Sequence, residues 1–323
     1  MKMDMRKTIA IAAAGLALAG CVTGKGSKGS QDSAVGSWGL RLGYPEMSAG
    51  HMIVSCGQDG KAKAYVLWRW ASPEWMKNVV LDGDVITFDH PSGFRVVGKV
   101  NGDTLTGMAY KKDGKVETTV DGWRNPPIEP ASTKDAVLGA PIDLLKDGLD
   151  GWVAMDPKAK FGWKFKDGVL SNQLGQLPNG AWSCGGTNLK TKREDFLDFN
   201  LEYDVRVPKG SNSGVYLRGR YECQVVDSYK HRPDCHNMAA LYGRVTPRVA
   251  AEKKPGEWQH VSVTLYKRHI TVVLNGKTII EDAPVEGITG GAIDANEFVP
   301  GPLYLQGDHS DADYRNMILR KAK

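Results

Sequence analysis

Three stretches of this chain put hydrogen-bonding side chains at every second residue. In GVYLRG, Tyr216 and Arg218 alternate with Val215 and Leu217. In YECQVVD, Glu222 and Gln224 alternate with Cys223 and Val225. In PLYLQGD, Tyr304, Gln306 and Asp308 alternate with Leu303 and Leu305. A fourth, FNLEYDVRV, sets Leu201, Tyr203, Val205 and Val207 against Glu202, Asp204 and Arg206. Successive side chains of a strand point to opposite faces, so the apolar sets belong to a core and the polar sets share the other side. A solvated sheet face is the ordinary meaning of such alternation. The recurrence of Gln, Arg, Tyr and Asp, where Lys, Thr, Ser and Glu are commoner, suits a polyol site. Amides and carboxylates direct hydrogen bonds to hydroxyls, and tyrosine adds an apolar ring face. Both readings stay open at this level.

The elements that must hold these residues read as β throughout. The chain has 323 residues, 38 of them glycine, enough for two ordinary domains. Residues 35–125 carry runs such as MIVSC, KAYVLWRW and FRVVGKV, separated by Asp-Gly and Asn-Gly turns that mark hairpins. They predict a small all-β barrel or meander, to which no ligand is assigned. Residues 126–141 are a Pro-rich linker. Residues 142–323 again alternate strands with turns, Asn275-Gly276 being a hairpin turn, and contain no long amphipathic helix. Ahead of both domains, Lys2, Arg6 and Lys7 precede the apolar run Ile9–Leu18, too short to span a bilayer. It ends in Leu18-Ala19-Gly20-Cys21, a lipobox-like sequence. Residues 1–20 are thus expected to be a signal peptide and Cys21 a lipidated N-terminus, with 21–34 a Gly/Ser/Lys tether. Val22 after the cysteine points to the outer membrane. The formal charge of +5 falls to about +3 without residues 1–20, too little to argue for nucleic acid. An exported protein can form disulfides, and Cys223 with Cys235 is the pair the spacing suggests first.

Four segments in order carry a family resemblance: GSNSGVYLRGRYECQVVDSY (210–229), KPGEWQHVSVTL (254–265), VVLNGKTII (272–280) and GPLYLQGDHSDADYRNMIL (301–319). Together they resemble the 3-keto-disaccharide hydrolase family, also described as 3-keto-glucoside 1,2-lyase and 2-hydroxy-glucal hydratase. The resemblance covers roughly residues 140–323. It implies a concanavalin-like jelly-roll β-sandwich and a glycoside already oxidised at C3 as substrate. The chain departs from the pattern at Cys223, at Tyr314, and in the long polar stretch HRPDCHNMAALYG (231–243), which is expected to reshape the pocket.

A C3 ketone acidifies the C2 proton. Its removal sends charge to the ketone oxygen and the C1–O bond then breaks by β-elimination, after which water can add back. Such a route needs a base, an enolate stabiliser and an acid for the leaving oxygen. His309 and Glu222 are the leading bases, His309 because imidazole titrates near neutral pH. Arg218 is the enolate stabiliser, being always cationic. Gln224, Asp227, Gln306, Asp308, Tyr216 and Tyr304 are the expected substrate binders. A divalent cation held by Glu222, Asp227 or Asp308 is an alternative to Arg218. Each residue has a plainer reading: Arg218 and Glu222 as a cross-strand ion pair, His309 as a solvated turn residue, Asp227 as a turn cap, Trp258 as core, Asn212 and Gly214 as turn formers, Arg315 and Asn316 as anchors of the last strand. The competing function is a non-catalytic carbohydrate-binding lipoprotein using the same face, since fold alone does not decide.

Overall fold

The computed structural model describes residues 33–323, so the expectations for the signal segment, Cys21 and most of the tether lie outside the described residues. The first nine strands are β1 (Gly36–Leu42), β2 (Ala49–Cys56), β3 (Ala62–Trp68), β4 (Glu74–Trp75), β5 (Lys77–Asp82), β6 (Val85–Asp89), β7 (Arg95–Asn101), β8 (Thr104–Tyr110) and β9 (Val116–Arg124). They form one antiparallel sheet in the order β4-β3-β2-β1-β9-β8-β7-β6-β5. Its two edges, β4 and β5, are separated only by Met76, whose N–H still donates to Ala64 O on β3. One kinked strand therefore pairs with β3 at one end and β6 at the other, which brings the sheet nearly to closure as a barrel and removes free edges. The Asp-Gly and Asn-Gly turns sit where the sequence puts them: Gly83, Gly102 and Gly114 have φ of +61°, +59° and +82°, conformations that cost glycine least. Trp38, Leu40, Met52, Val54, Val66, Phe88 and Val96 fill the interior.

The second half contains β10 (Leu138–Asp143), β11 (Trp152–Ala154), β12 (Trp163–Lys166), β13 (Val169–Asn172), β14 (Leu189–Thr191), β15 (Phe199–Arg206), β16 (Asn212–Leu217), β17 (Tyr221–Val226), β18 (Gln259–Tyr266), β19 (His269–Leu274), β20 (Lys277–Pro284), β21 (Tyr304–Leu305) and β22 (Ala312–Ala322). An eight-stranded sheet runs β12-β13-β22-β15-β18-β19-β20, with β10 also on β22; a five-stranded sheet runs β11-β14-β21-β16-β17. The two pack as a jelly-roll β-sandwich. Its core takes Leu201, Tyr203 and Val205 from β15, Val261 and Val263 from β18, Val215 and Leu217 from β16, Cys223 and Val225 from β17, and Leu303 and Leu305 beside and within β21. The apolar halves of the four alternating stretches thus meet between the sheets as expected.

Several expectations change in detail. Leu138–Asp143, the end of the expected linker and the start of the next domain, is a strand, and Ser132 and Thr133 before it hydrogen-bond Asp282, so this stretch is tied to the sandwich. Arg315 and Asn316 do anchor the last strand, both donating to Asp204 Oδ2, with Asn316 at φ +53° where β22 slips against β15. Trp258 is half-buried and outside the core, with the guanidinium groups of Arg206 and Arg315 over its ring. Cys223 and Cys235 are free thiols and form no disulfide. Cys223 points into the core against Tyr203 OH, while the returning chain sets Leu241, not Cys235, beside it.

Barrel and sandwich meet over a buried polar junction. Glu297 accepts hydrogen bonds from Tyr221 OH, the Gly287 N–H, Asn125 Nδ2 and Arg268, and the barrel's His51 lies 3.9 Å away. Burial, then the charges of Arg244 and Arg268, hold His51 well below the usual imidazole range, so it is neutral and bonds Ser37 Oγ.

Candidate active site

The outer face of the five-stranded sheet is not solvated. Tyr216, Glu222, Gln224 and Tyr304 are all buried, because the segment 228–245, the loop 286–299 and the barrel cover them. The polar stretch 231–243 covers part of this face. It runs back beside β17: Gln224 N–H donates to Ala240 O, Ala239 N–H to Gln224 O and Tyr242 N–H to Glu222 O, which brings Tyr242 to the site. A cleft of about 110 Å³ remains, lined from β16, β17, β21 and its following turn by Asn212, Tyr216, Glu222, Gln224, Tyr304, Gln306, Asp308 and His309.

Seven of the nine expected site residues therefore converge. Period-2 alternation on paired strands does this: Tyr216 sits opposite Glu222 across β16–β17 and opposite Tyr304 across β16–β21. The two tyrosine rings stack, with centroids 3.8 Å apart. Arg218 does not join them, and Asp227 lines an adjoining hollow with Asn212, Gln224 and Tyr242. The β16–β17 hairpin turns at Arg218, whose φ of +55° swings the side chain off the alternation. It is buried with its NH2 donating to Tyr221 OH, behind the cleft and next to the Glu297 junction, so it neither stabilises an enolate here nor pairs with Glu222. Asp227 caps a turn, accepting from Gly210 N–H and Tyr229 N–H. Among the described residues, the three-residue group whose ligand atoms come within metal-binding range is Asp234, Cys235 and His236; Glu222, Asp227 and Asp308 do not form one.

Glu222 is 3% exposed. Burial pushes its carboxyl up to about 8, a bond with Tyr216 opposes the rise and the charge of Asp308 adds to it. The Tyr216 hydroxyl lies 2.9 Å from both Glu222 Oε2 and Gly290 O, and it has one proton to give. A carbonyl only accepts, so the single hydroxyl proton of Tyr216 is shared between Gly290 O and the Glu222 carboxyl. Burial thus favours the neutral form of this carboxyl.

Asp308 Oδ1 lies 2.6 Å from His309 Nδ1. The carboxylate raises the imidazole above its usual 6.5 despite the opposing effect of burial. With Nδ1–H given to Asp308, Nε2 is the nitrogen left to take up a proton. Two buried amide oxygens on this face, Gln306 Oε1 and Asn212 Oδ1, have no hydrogen-bond partner. A buried unpaired acceptor is costly, and hydroxyls of a ligand relieve it. Sequence reasoning took Asn212 for a turn former and missed Tyr242; the NSG motif and the polar loop were the available signals.

A jelly-roll sandwich whose polar sheet face holds a buried carboxyl, an Asp–His pair and unpaired amides is the architecture of a carbohydrate-active protein. Residues 141–320, more than half of the chain, match the 3-keto-alpha-glucoside-1,2-lyase-like domain, and the chain belongs to that family. No curated protein matches it. Similar solved structures include two from Parabacteroides distasonis, provisionally named as glycosyl hydrolases. One is 21% identical over 61% of this chain and 93% of its own, with a TM-score of 0.43. The other is 23% identical over 57% and 100%, also at 0.43. The carbohydrate-binding module CBM66 of Bacillus subtilis is 13% identical over 53% and 96%, with a TM-score of 0.36.

Proposed function

We propose that the cleft takes a 3-keto-glycoside and breaks its glycosidic bond by β-elimination, with hydration of the product as a second step. The observation that carries this reading is the buried Glu222, whose carboxyl burial raises, in one cleft with the Asp308–His309 pair. His309 Nε2 removes the C2 proton, and Asp308 stabilises the imidazolium that forms. The electron pair of the C2–H bond becomes the C1–C2 double bond as the C1–O bond breaks, and Glu222 gives its proton to the departing oxygen. The products are an alcohol and a 2-hydroxy-3-keto-glucal. Gln306 and Asn212 hold hydroxyls and, with the amide turned over, present N–H to the oxygen that gathers charge. The ketone replaces the second carboxylate that an ordinary glycosidase needs.

The test is turnover of a 3-keto-glucoside beside the same glucoside unoxidised, following alcohol release and enone absorbance. Cleavage of the keto substrate alone supports the reading. Equal cleavage of both, or tight binding with no cleavage of either, overturns it; the second result leaves a binding protein. We also propose, on the lipobox-like sequence alone, that Cys21 carries a lipid and tethers the protein to the outer membrane, with the barrel as an accessory module.

A further inference from the structure

The N-terminal barrel lies outside the family match at residues 141–320, yet it reaches the cleft. Residues between β3 and β4 form a bent connection in which Arg69 and Ala71, neither a glycine, take φ of +74° and +60°. Such backbone costs energy and persists where surrounding contacts fix it. Those contacts are with the sandwich. Gly291 N–H donates to Arg69 O, and a Cβ at Gly290 would run into the Ala71 backbone. On their other side, Gly290 O and Gly291 O accept from Tyr216 OH and Tyr304 OH. Two glycines are therefore all that separates the barrel connection from the tyrosine pair.

Trp70 stands at the centre of this connection, lines the cleft with Met47 and Ala71, and is 53% exposed. Trp75 on β4 is as exposed, at 59%, but Trp70 borders the cleft and is held in place. The Arg69 guanidinium lies 4.1 Å from the Trp70 ring centroid and 3.8 Å from that of Tyr44. Arg69 is itself fixed by hydrogen bonds to Met47 O and Glu46 O. Beyond Trp70 a second hollow of about 510 Å³ opens on the barrel, bordered by Tyr44, Trp68 and Phe94. Trp70 borders both spaces. The cleft, at about 110 Å³, is small beside the roughly 300–1,000 Å³ of pockets that enclose a drug-sized ligand. It is too small to take a disaccharide whole, so part of any larger glycoside must emerge past the rim.

We propose that Trp70 is the platform for the leaving group, so that the barrel sets which glycosides the sandwich accepts: those whose leaving group presents an apolar ring face, a second sugar or an aryl ring. This deepens the reading of the cleft given above and rests on it. The ring in the cleft is held by the sandwich, and the group beyond C1 stacks on an indole clamped from behind by Arg69. Trp70 is a specificity residue and takes no part in proton transfer.

The experiment compares the full chain with Trp70→Ala and Trp70→Phe on 3-keto-glucosides bearing methyl, glucosyl or phenyl leaving groups. Ring stacking of about 0.5–1.5 kcal/mol corresponds to a loss of up to about tenfold. The expected result is that Trp70→Ala lowers kcat/KM by about tenfold on the glucosyl or phenyl substrate, mainly through KM, leaves the methyl substrate within about twofold, and is rescued by Trp70→Phe. Whichever of the two bulky substrates shows the loss names the leaving group. Equal loss on all three substrates, or loss on none, overturns the proposal. Should the wild type turn over no keto-glycoside, the elimination reading fails separately, and titration of maltose against glucose decides the platform. It predicts tighter maltose binding that Trp70→Ala abolishes, and an unchanged ratio overturns it.

Discussion

Replacing Glu222 with Gln keeps the shape of the cleft and removes the one proton that the account assigns to the leaving oxygen. The carboxyl is pushed from an ordinary 4.5 to about 8 by burial. At about 1.36 kcal/mol per pH unit, ionising it in place costs about 5 kcal/mol more than in water. Such a group stays a proton donor through neutral pH and fails as the pH rises through about 8. In wild-type protein, kcat/KM on an alkyl 3-keto-glucoside therefore falls on the alkaline side with a midpoint near 8. General acid catalysis contributes about 10²–10⁴-fold, so Glu222→Gln loses that much on the alkyl substrate. A 4-nitrophenyl leaving group needs no proton, and there the loss is less than about tenfold. The alkaline limb disappears with the carboxyl. Steady-state pH profiles on both substrates provide the assay. An alkaline limb that persists in Glu222→Gln, or equal losses on the two substrates, refutes the assignment of Glu222 as the acid.

The same carboxyl makes a prediction about stability. Its folded pKa lies above its unfolded value, so the folded state keeps a proton that the unfolded state has lost, and stability drains away as pH rises from about 4.5 to about 8. Thermal melts should then show Glu222→Gln gaining on wild type in Tm from pH 5 to pH 9; a constant difference contradicts the buried neutral acid. Asp308→Asn replaces the carboxylate that raises the His309 imidazole with a neutral amide, so the acidic limb of kcat/KM should move to lower pH with a reduced maximum, read from the same profiles; an unmoved limb removes His309 from the base role. Arg218→Ala leaves Tyr221 and the Glu297 junction short of a buried donor and should cost about 3 kcal/mol in denaturant unfolding. Its kcat/KM while folded should stay within about threefold of wild type; a tenfold loss returns Arg218 to the reaction.

Alternation alone located most of the cleft. Tyr216, Glu222, Gln224, Tyr304 and Gln306 converge because each lies two residues from another polar position on strands that pair in register. The failure at Arg218 has a single cause: a left-handed residue at the start of the hairpin turn ends the alternation one position earlier than the sequence suggests. The rise in the Glu222 carboxyl was not legible, because it depends on chain 228–245 and the loop 286–299 covering a face that alternation reads as open. Trp70 was hidden for a stronger reason. Its place at the cleft is set by contact with Gly290 and Gly291, some 220 residues further along, and nothing local to KAYVLWRW announces that. Barrel closure through β4 and β5 was equally silent, since it depends on one strand kinking at Met76 to serve two partners.

The central claim is that the C2 proton leaves the sugar before the glycosidic bond is gone. A 3-keto-glucoside labelled with deuterium at C2 tests it, analysed by mass and NMR at times short against uncatalysed exchange. The account predicts that the released product has lost the label to solvent, either as the glucal or, after hydration, with solvent hydrogen at C2. Product that still carries deuterium at C2 means the bond broke by direct displacement at C1, and His309 and Glu222 do not act as described.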